Sequence, residues 1–123
     1  MTPDFEKLIR DKYPKILVEG AGYMGHGCDL AIGDGWYDLL DELCQKLQAI
    51  SDTTGVQIKA TQIKEKFGGL RFYADYANDE QYRLIGEYSL KANATCEYCG
   101  KPGEARPGGW IKTLCDDCEG KRK

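Results

Sequence analysis

The chain is predicted to be an α+β protein, with helices packed on an antiparallel β-hairpin and a C-terminal four-cysteine zinc ribbon. Three observations predict this class. Apolar residues recur with helical period from Trp36 to Ile50, the period changes to two from Val56 into β-prone stretches around Gly68-Gly69, and two Cys-x-x-Cys pairs stand between residues 96 and 118. The expected organisation is an α+β domain over residues 1–94 with the zinc ribbon, residues 95–123, docked on it.

Thr2 followed by Pro3 is a helix start, and Phe5, Leu8 and Ile9 share a face, so a helix is expected over residues 3–13, ended by Pro14. The stretch "ILVEGAGYMG" that follows has Gly20, Gly22 and Gly25 in dinucleotide-loop spacing. Such a loop needs its last glycine in the first turn of a helix and then a second parallel strand. Here "YMGHGCDLAIGDG" keeps adding glycines with no helical period before Asp34, and 123 residues are short for a doubly wound sheet. The match is read as accidental, and no nucleotide cofactor is expected. His26 and Cys28 lack the further ligands or orienting carboxylate that a metal or nucleophile role demands, and are read as loop.

Asp34 is a candidate cap for the second helix, on which Trp36, Leu39, Leu40, Leu43, Cys44, Leu47 and Ile50 form the apolar stripe. Cys44 on that stripe reads as a small buried hydrophobe. Val56, Ile58 and Ala60 then alternate with Gln57 and Lys59 as a strand, and Gly68-Gly69 is placed as a two-residue hairpin turn. That turn pairs Phe67 with Leu70, Lys66 with Arg71, Glu65 with Phe72 and Lys64 with Tyr73. Ile63, Phe67, Leu70, Phe72 and Ala74 share one face with Glu65, while Lys64, Lys66, Arg71 and Tyr73 share the other; alternation slips at Thr61 to Ile63, a candidate bulge. A third helix, capped by Asn78 or Asp79, carries Tyr82, Leu84, Ile85, Tyr88 and Ala92.

Cys96-x-x-Cys99 and Cys115-x-x-Cys118, with 15 residues between the pairs, have zinc-site spacing. Each pair can bind one ion from a tight knuckle, and the excursion is long enough to return as a hairpin turning at Pro107, Gly108 and Gly109. One structural Zn²⁺ is expected on Cys96, Cys99, Cys115 and Cys118. Four thiolates leave no open position at which to activate water. Trp110 reads first as apolar cover for the ribbon and second as a recognition aromatic.

No basic region followed by an apolar run opens the chain and no apolar run could span a bilayer, so a cytoplasmic protein with reduced thiols and no membrane partner is expected. Residues 1–90 hold 15 acids against 10 bases, and residues 91–123 hold 5 against 7, which argues against a DNA binder working through bulk charge. Locally the balance reverses. Opposed cations such as Lys66 and Arg71 need an anion over them: acids of the helix from Asp34 to Gln48, nucleic-acid phosphate, or an acidic protein partner met also by Tyr73 and Tyr76. Glu65 on the apolar face reads as paired with a Tyr or Lys, and less readily as a general base. With one histidine and no nucleophile–base pairing, the leading expectation is a non-enzymatic binding protein using Lys64, Lys66, Arg71, Tyr73, Trp110 and Lys112. The alternative is a nucleic-acid-binding zinc ribbon in which Arg106, Lys112 and Lys121 to Lys123 join the hairpin bases in one track. An enzyme using Glu65, or Asp34 and Asp38, comes third.

"KYPKI", "GDGWYDLLDELC", "KEKFGGLRFY" and "CEYCGKPG" with the later "GW" and "TLCDDC", in this order from Lys12 to Cys118, resemble a group of small uncharacterised proteins encoded in bacterial genomes, prophages and phages. That resemblance implies an accessory protein, in the cytoplasm of a bacterial host, that binds and modulates a host protein or nucleoprotein, host defence included.

Overall fold

The computed structural model describes residues 1–18 and 28–122. Helix and sheet are mixed, as expected. Helix α1, Pro3–Lys12, has Pro at its start, Asp4 and Glu6 in its first turn and Arg10 and Lys12 in its last, which complements the helix dipole. A two-residue strand β1, Leu30–Ala31, emerges from the glycine-rich segment and pairs in parallel with the next strand, Leu30 beside Ile63. Nothing in the local pattern announces it. The proposed nucleotide loop at Gly20 to Gly25 and His26 lie outside the described residues.

A single 3₁₀ turn, Asp34–Trp36, leads into α2, Tyr37–Thr54, which ends where Gly55 adopts a left-handed φ of 79°. Asp34 does not cap this helix. Its carboxylate accepts the Thr2 N–H at 2.7 Å, tying the N-terminus to the entry of α2. Strand β2, Lys59–Lys66, begins later than Val56, which is exposed, and pairs antiparallel with β3, Gly69–Asp75. The expected bulge is present: the register shifts between Ala60 and Gln62.

The hairpin turn is Phe67-Gly68, one residue earlier than expected. Both have positive φ, 53° and 80°, the type I′ pattern whose twist suits a two-residue hairpin. Lys66 therefore faces Gly69, Glu65 faces Leu70, Lys64 faces Arg71 and Gln62 faces Tyr73. Two contacts at Gly68 account for this, one from outside the hairpin and one within it: its carbonyl accepts the Thr113 hydroxyl at 2.7 Å, and its N–H donates to Glu65 Oε2 at 2.9 Å. Because the slip preserves side-chain parity, the faces survive, except that Phe67 leaves the apolar side and is 69% exposed.

Helix α3, Asp79–Ala92, opens with a capping box in which Asn78 and Gln81 exchange side-chain to backbone hydrogen bonds. Gln81 is itself buried and donates to the Leu47 carbonyl and Ser51 hydroxyl, joining α3 to α2. Trp36, Leu40, Leu43, Cys44 and Leu47 from the α2 region, Ile85, Tyr88 and Ala92 from α3, and Ile63, Leu70 and Phe72 from the sheet form one buried cluster with Ile9 of α1. The opposite sheet face carries Lys64, Arg71 and Tyr73. Beyond α3, β4 (Glu104–Arg106) and β5 (Lys112–Leu114) form the expected ribbon hairpin, and α4, Asp116–Arg122, adds an unanticipated short helix. Among the described residues no helix is long and apolar enough to cross a membrane.

Candidate metal centre and the joint beneath it

The first knuckle, Cys96 to Gly100, begins after α3 ends, and Gly100 takes a left-handed φ of 82° that lets the backbone fold back under the thiols. The second pair spans the end of β5 and the first turn of α4. All four sulfur atoms of Cys96, Cys99, Cys115 and Cys118 lie within 4.8 Å of one another, and Cys99 Sγ is 3.6 Å from Cys115 Sγ. A tetrahedral ion with metal–sulfur bonds of about 2.3 Å would set its sulfurs about 3.8 Å apart. A disulfide would need about 2.05 Å, and none of the four is so bonded. The cysteines are thus positioned to hold a metal ion.

Backbone amides already treat this site as anionic. Burial opposes ionisation of Cys96, but amide donors from Cys115, Cys99 and Tyr98 hold its thiol down at about 6. Burial and the neighbouring sulfurs of Cys115, Cys96 and Cys99 push Cys118 up to about 12. Ionisation of Cys96 is thus favoured while Cys118 resists it, and a divalent cation at the cluster would favour the thiolate form of its ligands.

Glu97 ties the knuckle both to the body and to the ribbon's second strand. Its N–H donates to the Thr113 carbonyl at 3.0 Å and its carbonyl accepts the Gly35 N–H at 2.7 Å. Its Oε2 accepts the Gly33 N–H at 2.9 Å, while Oε1 lies 3.1 Å from Lys112 Nζ. Lys112 also meets Glu65 Oε1 at 2.8 Å, completing a Glu97–Lys112–Glu65 chain beneath the metal site. The "IGDGW" segment is glycine-rich for a steric reason: a Cβ on Gly35 would overlap the Cys96 carbonyl, and one on Gly33 the Glu97 carbonyl. Trp36, fully buried, donates its indole N–H to the Thr95 carbonyl at 2.8 Å.

These contacts reassign several residues. Lys112, expected on the partner surface, is 7% exposed and ion-paired inside. Burial disfavours its charge, but both carboxylates outweigh that and raise its pKa; burial likewise opposes ionisation of Glu65, yet Lys112 and the Gly68 amide lower it below the usual carboxylate range. Glu65 is therefore held by a lysine, the structural alternative considered for it. Arg106 is half-buried, donating to the Leu114 carbonyl and pairing with Asp116, so it does not extend a basic track; Lys123 lies outside the described residues. The Asp34 carboxylate is engaged by the Thr2 N–H and that of Glu65 by Lys112.

The α2 acids do not neutralise the hairpin bases. Asp41 pairs with Lys12 at 3.0 Å and Glu42 accepts the Tyr88 hydroxyl, both on the helical side of the sheet. Among the described residues, Lys64, Lys66 and Arg71 have no acid within 4 Å. Tyr73 and Trp110 are exposed, Trp110 at 68%. Cys44 is buried as expected. Cys28 is also buried, which pushes its thiol up to about 11, the reverse of a nucleophile's requirement.

Nothing local in the sequence singles out Glu97, although it lies between two metal-site cysteines and Lys112 stands shortly before the second pair. Their pairing depends on the ribbon's hairpin register, which no local pattern encodes. No family model, curated protein or solved structure matches the chain.

Proposed function

We propose that Cys96, Cys99, Cys115 and Cys118 hold one structural zinc ion and that the chain is a non-enzymatic binding module, a phage- or prophage-type accessory protein that occupies a surface of a host protein or nucleoprotein. Zinc bound by four thiolates supplies folding energy and no open coordination position. Supporting a non-enzymatic reading, the groups with chemical potential are engaged in architecture: the thiols in the metal site, Glu65 and Glu97 on Lys112, Asp34 on Thr2.

The observation that carries a binding role is the outer sheet face, where Lys64 and Arg71 stand directly opposite each other with no internal acid among the described residues. Like charges so placed destabilise a strand pair, and an external anion relieves them. The test is affinity purification from a bacterial lysate with the native chain and with Lys64→Glu/Arg71→Glu. A partner retained by the native chain and released by the double variant is expected; no specific partner, or one held equally by both, contradicts the reading.

A further inference from the structure

Phe67 and Trp110 are the two most exposed aromatic rings of the hairpin and ribbon tips, at 69% and 68%, and they line one groove of about 300 Å³ with Lys66 on its rim. Gly108 and Gly109 also line it, without side chains to fill it. Neither ring is exposed by default. Phe67 occupies a left-handed backbone position, φ 53°, that is strained for a non-glycine residue, and the groove rather than the core receives its ring.

Trp110 is held in place from two sides. Its carbonyl accepts a hydrogen bond from Arg122 at 2.7 Å, and Lys112 Nζ lies 5.2 Å from its ring centroid, anchored below by Glu65 and Glu97. With its backbone tied to Arg122 and Lys112 beside its ring, the indole stays open to solvent, and whatever freedom these contacts remove is not lost again on binding a flat ligand. Adjacent to this groove run Lys66, Lys64 and Arg71 on the outer sheet face; the acid at the other end of β3, Asp75, stands opposite Lys59. Glu65 also lines the groove, but its carboxylate is occupied by Lys112 and the Gly68 amide.

Flat apolar faces beside a short row of cations is the pattern that takes unstacked bases and their phosphates. Resting on the binding-module reading, we propose that this groove and the Lys64–Lys66–Arg71 row bind single-stranded nucleic acid, a base entering between Phe67 and Trp110 and the backbone crossing the cations. An acidic protein would satisfy the charges but gives no reason for two solvent-facing rings around a slot.

The experiment is fluorescence anisotropy of a labelled oligothymidine of about a dozen nucleotides with the full zinc-loaded chain, across a salt series. Binding at low salt is expected to weaken with a log–log slope of about −2, as three neutralised phosphates dictate for a single strand. Trp36 is buried, so quenching of tryptophan emission on binding reports Trp110 and is lost in Trp110→Ala. Trp110→Ala and Phe67→Ala each weaken binding roughly tenfold or more, and Lys64→Gln/Arg71→Gln flattens the slope by about 1.4. Zinc content and circular dichroism are measured on every sample, and the native titration stands by itself if a variant misfolds. No binding at low salt, tighter binding of the duplex, equal competition by polyglutamate, or indifference to all these substitutions overturns the assignment. If zinc and fold are intact, those failures leave the binding-module reading in place; cleavage or modification of the oligonucleotide would instead overturn that reading.

Discussion

Lys112 Nζ lies 3.1 Å from Glu97 Oε1, and Glu97 is the residue immediately after the first metal-site cysteine. A buried ammonium therefore connects the ribbon's second strand to the knuckle, and through Glu65 to the central sheet. Removing one partner of such a group is costlier than never having built it, because the remaining charges stay buried without compensation. Lys112→Met is expected to cost about 3–5 kcal/mol in urea unfolding. The triple variant Lys112→Met/Glu65→Gln/Glu97→Gln should recover a substantial part of that loss. If Lys112→Met alone is neutral, the chain of charges contributes nothing to the joint.

The same residues set a pH dependence. Glu65 has a folded pKa below its unfolded value, so its contribution is present above the ordinary carboxylate pKa and is lost as pH falls through the lowered folded value. Lys112 has a raised folded pKa, so its contribution is complete below the ordinary lysine value and is lost only as pH rises through the higher folded one. Stability from this pair is thus level between the two limits. Unfolding monitored at a series of pH values should show a shallower acid limb for Glu65→Gln than for the native chain. Identical acid limbs would contradict the assignment.

Two glycine substitutions of the same chemistry should have opposite signs. Gly35→Ala drives a methyl into the Cys96 carbonyl and should destabilise the joint by more than about 1 kcal/mol. Gly86→Ala, on α3 with open space at its Cβ position, should stabilise by up to about 1 kcal/mol through helix propensity. Thermal unfolding of the two variants distinguishes them, and equal shifts would mean that Gly35 is not packed against the knuckle.

Phe67→Asn separates stability from recognition. Asn tolerates a left-handed φ and Asn-Gly is the favoured type I′ pair, so the hairpin should gain up to about 1 kcal/mol. Oligonucleotide affinity should fall in the same protein. A variant both less stable and equally able to bind would show that Phe67 is there for packing.

Much of this architecture is legible along the chain because it is locally encoded. The helical stripe from Trp36 to Leu47, the start of the third helix at Asn78 or Asp79, the bulge near Thr61 and the four cysteines are each specified by residues close in sequence. What escapes a local reading is set by partners far along the chain. The turn sits at Phe67-Gly68 because Thr113 grips Gly68, 45 positions away, and Asp34 leaves its helix for Thr2. Lys112 reads as a surface cation because its partners, Glu65 and Glu97, come from different elements. Even so, Lys64, Lys66, Arg71 and Tyr73 are grouped correctly on the outer face, since a period of two survives a slip that preserves parity.

The proposed zinc ion at Cys96, Cys99, Cys115 and Cys118, whose sulfur atoms lie within 4.8 Å of one another, is the central claim of this account. X-ray absorption at the zinc edge, with elemental analysis of the same purified protein, addresses it directly. One zinc per chain surrounded by four sulfurs at about 2.3 Å is the expected result. Substoichiometric metal, or a first shell containing nitrogen or oxygen in place of sulfur, would contradict it.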